Sequence, residues 1–159
     1  IANRRHFDML LQQEWQRAQR LGQPLALGML DVDHFKDYND HYGHLAGDTC
    51  LHEVAQALAA NLNRSSDVVA RFGGEEFVFI SPMSDAQDAL HVAQRVVQAV
   101  AELALPHAGS PIGHVTVSVG VVAMQPDPAS TTEDMLRRAD AALYQAKNNG
   151  RNRVELAVE

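Results

Sequence analysis

Apolar residues recur over the first twenty positions at Phe7, Leu10, Leu11, Trp15, Ala18 and Leu21, the three-and-four spacing of one helix face. Asn3 can cap that helix, and Gly22 with Pro24 stops it. The pattern then changes to a nearly unbroken apolar stretch, Leu25 to Val32, which predicts a strand covered on both faces with Asp31 and Asp33 at its carboxyl end. Leu51, Val54, Ala55, Leu58 and Leu62 predict a helix from Gly47 to Leu62, closed by Asn63-Arg64-Ser65-Ser66. Asp67 to Phe72 reads as a strand, Gly73-Gly74 as a two-residue turn, and Glu75 to Ile80 as the returning strand of a hairpin. A helix over 85–103 and a loop rich in Pro and Gly from Pro106 to Gly113 precede a strand in which Val115, Val117, Val119 and Val121 alternate. Thr132-Glu133-Asp134 can cap a last helix, which Asn149-Gly150 terminates, and Arg153 to Val158 fits an edge strand.

The predicted order is a helix, then β-α-β-β-α-β, then a helix and a short strand. Its core is the ferredoxin-like arrangement, an α+β fold with a mainly antiparallel sheet and helices packed on it. In that arrangement the end of the first strand and the hairpin tip adjoin.

Composition narrows the functional classes. The 159 residues, 46% hydrophobic and 21% charged, suit one domain over 1–159. A formal net charge of -7 argues against a protein that grips a nucleic acid polymer by neutralising phosphates. An anionic substrate would therefore need local cations or metal ions. The single cysteine, Cys50, sits among core positions, which excludes an intrachain disulfide framework and suits a reducing compartment. No apolar run approaches the roughly 20 residues that span a bilayer, and no signal-peptide core precedes the first helix. Because the chain opens at Ile1 without an initiator methionine, it is expected to be cut from a longer protein with a sensory region upstream. The domain itself is expected in the cytoplasm, with any membrane attachment supplied by a segment outside these residues.

Arg71-Phe72-Gly73-Gly74-Glu75-Glu76-Phe77 places two adjacent carboxylates on the hairpin. Neighbours in a regular strand point to opposite faces, so both can serve one site only where a tight turn breaks the alternation. Asp31 from the neighbouring strand can supply a third. Carboxylates held together need a cation, and hard oxygen ligands suit magnesium with a substrate phosphate. A solvated acidic turn is the commoner meaning of such residues, and spacing alone does not displace it.

The same stretch closely resembles the signature of the GGDEF family, the diguanylate cyclases, with Glu75 in the slot that is Asp or Glu. The resemblance covers nearly the whole chain. Asn3-Arg4-Arg5-His6-Phe7 is similar to the end of the family's opening motif, Asp31-Val32-Asp33-His34-Phe35-Lys36-Asp37-Tyr38-Asn39-Asp40 to its metal and guanine segment, and Tyr42-Gly43-His44 with Gly47-Asp48 to the next block. Ala139-Asp140, Ala146-Lys147 and Gly150-Arg151-Asn152 resemble its closing motif. Two departures are visible: His34 stands where the family often has an aromatic residue, and the opening motif is incomplete.

The resemblance implies a nucleotidyl-cyclase-like palm that condenses two GTP into cyclic di-GMP by metal-assisted phosphoryl transfer at a homodimer interface. It implies that Asp31, Glu75 and Glu76, with the carbonyl of Val32, hold magnesium, or manganese in its place, around the Gly73-Gly74 turn. Which glutamate lies nearer the attacking hydroxyl stays open. Phe35, Lys36, Asn39, Asp48, Lys147 and Arg151 match substrate-binding positions, Asn39 and Asp48 for guanine and the cations for phosphate. On residues alone, Asp48 reads as a helix cap, and Lys147 and Arg151 equally as charges favouring a helix carboxyl end. Arg64 and Asp67, an Arg-x-x-Asp ahead of the signature, and Arg95 match a product-binding inhibitory site. Such a pair alone is usually a surface contact. A degenerate domain that binds GTP or cyclic di-GMP without turnover is the main alternative. A transition-metal site at His41 and His44 finds no third ligand by spacing. No Gly-x-x-x-x-Gly-Lys-Ser/Thr loop occurs, so P-loop binding is excluded.

Overall fold

The computed structural model describes residues 1–158. Ten elements follow one another: α1 (Arg4–Leu21), β1 (Leu25–Val32), α2 (Phe35–Tyr42), α3 (His44–Ala60), β2 (Val68–Gly73), β3 (Glu76–Pro82), α4 (Ala86–Glu102), β4 (Val117–Met124), α5 (Thr132–Asn148) and β5 (Val154–Leu156). The five strands form one sheet in the order β2-β3-β1-β4-β5. Neighbours are antiparallel except β4 and β5, which run parallel. The first four strands thus take the expected ferredoxin-like order, and β5 extends it to a mixed sheet.

Helices cover both faces. On one, Leu51, Val54 and Leu58 of α3 and Ala89, Ala93, Val96 and Val100 of α4 pack on Leu30, Phe77, Phe79, Val117, Val119 and Val121. On the other, Phe7, Leu11 and Trp15 of α1 and Met135, Ala139 and Leu143 of α5 pack on Leu25, Leu27, Val78 and Ile80. Every residue of the central β1 is buried, which explains its continuous apolar run. Truncating a core leucine such as Leu27 to alanine is worth ~2–5 kcal/mol in a setting of this kind.

Four local readings change. Residues 35–42 form α2, too short and polar for its apolar positions to announce it. The helix expected from Gly47 begins three residues earlier, at His44, so Asp48 lies in its second turn and is not a cap. The hairpin turn is Gly74-Glu75, since Gly73 pairs with Glu76. The cap of α5 is Thr131, whose side chain and that of Asp134 each accept the other's backbone N–H.

Candidate active site

Strand register brings the carboxylates together. Asp31, the penultimate residue of β1, lies directly opposite Glu76 of β3, and the Val32 N–H donates to the Glu75 carbonyl at 3.3 Å. The hairpin tip is thereby fixed beside the end of β1. Gly74 makes the turn with φ +50°, a left-handed conformation that side-chain-bearing residues rarely adopt. Arg71 holds it from below, its Nε donating to the Gly74 carbonyl at 2.9 Å.

Asp31 is 6% exposed, and one of its carboxylate oxygens is engaged by the Lys147 ammonium from the end of α5. The other, Oδ1, is buried without a partner. Burial raises the carboxyl from its ordinary 3.8 to about 6; Lys147 opposes the rise, and the charges of Glu75 and Glu76 add to it. An orphaned carboxylate oxygen, near enough to Glu75 and Glu76 for their charges to act on it, fits a hard divalent cation. Among the described residues no three His, Cys, Asp or Glu side chains stand close enough to form a metal site by themselves. The donor set therefore suits an ion such as Mg²⁺, which is commonly held by one or two carboxylates together with substrate phosphates.

Beside the hairpin a cleft of about 860 Å³ runs along α3. Asp48, Leu51 and Ala55 form one wall, Phe72, Gly73 and Phe77 another, and Ile1 to Arg4 close the end. Asp48 is exposed on its rim. The Asn39 side chain is half-buried next to α3, its Oδ1 also without a partner. That oxygen occupies the space a Cβ on Gly47 would need, at 1.8 Å, so glycine at 47 is what admits Asn39 against the helix. An apolar-walled cleft with an aspartate at its rim can take a planar heterocycle that offers N–H donors.

The model of the family described as diguanylate cyclase, GGDEF domain, matches residues 1–153. The chain belongs to the GGDEF family. It is 41% identical over 157 residues to the diguanylate cyclase DgcP of Pseudomonas aeruginosa, covering 99% of this chain and 23% of that protein. With diguanylate cyclase A of Treponema denticola it shares 43% over 133 residues, 84% of this chain and 35% of the other. The GGDEF domain of DgcB from Caulobacter crescentus, solved in complex with c-di-GMP, superposes with a TM-score of 0.90 at 34% identity, covering 100% of this chain and 90% of that one. The active GGEEF domain of a diguanylate cyclase from Vibrio cholerae gives 0.88 at 33%, covering 99% and 98%. The chain spans between about a quarter and two fifths of the length of these and similar curated relatives.

Within this GGDEF domain the other predicted positions separate into three groups. Phe35 is buried and stacks on Tyr38, with ring centroids 6.0 Å apart. Lys36, 90% exposed, pairs with Asp40 at 3.6 Å, and Arg151 is exposed in the turn after α5. Neither touches Asp31. Arg64 and Asp67 form their own network: the Arg64 guanidinium donates to Ser81 Oγ at 2.8 Å, to the Pro82 carbonyl at 3.0 Å and to Ser84 Oγ, while Asp67 accepts from Ser81 Oγ at 3.0 Å. Arg95 reaches the Asn61 carbonyl at 3.0 Å. The three sit around the α3–β2 loop and the end of β3, outside the lining of the cleft.

Two residues with evident work in the GGDEF domain have no role in the sequence reading. Buried His107 accepts from the Gly109 N–H at Nδ1 (3.2 Å), which places its proton on Nε2, donating to the His34 carbonyl at 3.0 Å. His34, with φ +55°, starts α2, so His107 braces the turn between β1 and α2. The other is Asp33, which is 3% exposed. Thr116 and Ser118, hydroxyls at alternate positions of a valine-rich strand, were the signal: both face a buried layer and donate to Asp33. Cys50 is a buried thiol whose pKa burial pushes up to about 11, as a core cysteine requires. His41 packs on Tyr42 and joins no metal cluster among the described residues.

Proposed function

We propose that this GGDEF domain is a diguanylate cyclase that condenses two GTP into cyclic di-GMP with release of two pyrophosphates, each of two copies presenting one GTP. The observation that carries the reading is the buried, partnerless Asp31 oxygen opposite Glu76 on the hairpin whose Phe72, Gly73 and Phe77 line a cleft with Asp48 at its edge. The Caulobacter relative solved with c-di-GMP supports the nucleotide class.

Asp31, Glu75, Glu76 and the Val32 carbonyl would hold Mg²⁺, or Mn²⁺ in its place. When bound, such an ion neutralises the triphosphate and makes the ribose 3'-hydroxyl more acidic. Asp48 and Asn39 read guanine: a carboxylate accepts from N1–H and the exocyclic amine, a donor pair that adenine lacks. Lys147 already points into the carboxylate cluster and turns to incoming phosphates, joined by Arg151 and Lys36. The 3'-oxygen of one GTP then attacks the α-phosphorus of the other, and the bond to the pyrophosphate oxygen breaks. Performed twice across a two-fold axis, this closes the ring.

Cyclic di-GMP also fits as an inhibitor at Arg64, Asp67 and Arg95, whose guanidinium forks suit phosphate and guanine edges. Occupying that site requires Arg64 to leave or share its bonds to Ser81 and Ser84.

The test is product analysis after incubation with GTP and Mg²⁺. The reading expects cyclic di-GMP with two pyrophosphates per molecule, none after chelation, and a loss of at least ~100-fold in Glu76→Gln at unchanged folding. GTP recovered intact, or a cyclic mononucleotide as product, overturns it.

A further inference from the structure

The turn after α5 holds three consecutive residues at positive φ: Gly150 at +121°, Arg151 at +63° and Asn152 at +48°. For residues with a side chain this conformation persists only where the surroundings over-determine it, and such strain gathers at functional positions. Something must therefore hold the turn. The Arg151 N–H donates back to the Ala146 carbonyl at 2.9 Å, and Arg153 Nε donates to the Arg151 carbonyl at 3.2 Å. These bonds lie within the turn and its flanks.

Two links reach the rest of the molecule: at the far flank the Val119 N–H of β4 donates to the Arg153 carbonyl at 2.9 Å, and the turn itself is held by Asp33. Its Oδ2 accepts the Asn152 N–H at 3.0 Å and the Thr116 hydroxyl at 2.7 Å, and its Oδ1 accepts the Ser118 hydroxyl at 2.6 Å. Its own N–H donates to the Thr116 carbonyl at 2.9 Å. Three donors converge on a buried carboxylate, and among the described residues no cation pairs with it. An asparagine has the same shape but no charge: its oxygen can keep the Asn152 N–H and the Thr116 hydroxyl while its amide donates to the Ser118 hydroxyl, so what the change removes is the charge that strengthens the Asn152 contact. Asp33 is two residues beyond Asp31, in the turn that follows β1. One strand end thus fixes the acidic cluster with Asp31 and the basic turn with Asp33.

We propose that Asp33 is a positioning residue for the triphosphate: through the Asn152 amide it sets the turn from which Arg151 meets the phosphates. The inference rests on the phosphate role proposed for Arg151, and it concerns how that role is enforced. It predicts a loss confined to the part of the substrate that Arg151 would touch.

The experiment titrates the domain, with Mg²⁺, against GMP and against a GTP analogue with a methylene bridge between the α and β phosphorus atoms. The variants are Asp33→Asn, Arg151→Ala, their double variant and Ser118→Ala. Asp33→Asn is expected to weaken the triphosphate analogue about tenfold and GMP by less than about twofold, and the double variant to bind no worse than Arg151→Ala alone, because the two residues act through one contact. Amide exchange at Asn152 and Arg153 should accelerate in Asp33→Asn. Equal losses for GMP and the analogue, or additive losses in the double variant, overturn the inference and leave Asp33 a fold residue only. Unchanged analogue affinity in Arg151→Ala overturns the phosphate reading and this inference with it. Should Asp33→Asn not fold, Ser118→Ala decides, with an expected loss of about threefold for the analogue alone; no such selectivity overturns the proposal.

Discussion

Burial lifts the Asp31 carboxyl to about 6, so in the absence of a cation its ionised form is costly to the fold. A carboxyl whose folded value lies above its ordinary 3.8 makes stability fall as pH rises between the two values, because the folded state there binds more protons than the unfolded one. Above about 6 the cost is complete, and at 1.36 kcal/mol per unit it is on the order of 3 kcal/mol. Asp31→Asn should therefore unfold at higher denaturant than the natural chain in a chelating buffer, by a margin that grows from pH 4 to pH 6 and then levels. That cost is already net of the attraction to Lys147, whose side chain is 31% exposed and turns to water in the variant. Urea titrations across this range check it; a margin independent of pH contradicts the assignment. At this scale the sequence exposed Asp31, Glu75 and Glu76 through their motif, but the Lys147 contact spans 116 positions and only the fold creates it. Asp33 was visible as an acid at a strand end, yet its partners lie on another strand and in a turn with unusual φ values, which no periodicity reports.

The elements were legible where a periodic apolar face was long. α1, α4 and β1 follow their patterns to within one or two residues, because each has a long buried face, and at α1 a cap and a stop signal agree with it. α2 escaped notice because only Phe35 of its eight residues is buried, so it has no periodic face to read. The start of α3 was misplaced because Gly47 reads as a boundary, whereas it is a helix interior glycine that makes room for Asn39. The loop from Arg64 to Asp67 joins α3 to β2 and is tied by Arg64 to the end of β3. Arg64→Ala should cost less than about 2 kcal/mol of stability, because its guanidinium is half-exposed and the Ser81, Asp67 and Ser84 bonds remain among themselves. It should weaken cyclic di-GMP binding about tenfold or more, through loss of a charged fork. Calorimetry on both proteins measures this directly. Affinity and stoichiometry that do not change would place product binding away from this loop.

At the scale of the whole molecule, the sheet order was predictable because β-α-β-β-α-β has few compact solutions, and the hydrophobic pattern assigned its strands correctly. The parallel addition of β5 follows from α5 crossing back over the sheet, with Ala139 and Leu143 packed on it. Such a domain has one acidic hairpin tip beside one described cleft with Asp48 at its rim, while the proposed product joins two nucleotides through two phosphodiester bonds. Two copies must meet, and a two-fold arrangement uses the same surface for both attacks. The most direct measurement is the rate of cyclic di-GMP formation per milligram over a dilution series, with the state of association followed by sedimentation. Specific activity should fall as monomer replaces dimer, and a parallel coiled coil fused before Ile1 should restore it at low concentration by raising the effective concentration of the second half-site. Specific activity that stays flat while dimer gives way to monomer would contradict a site shared between two copies.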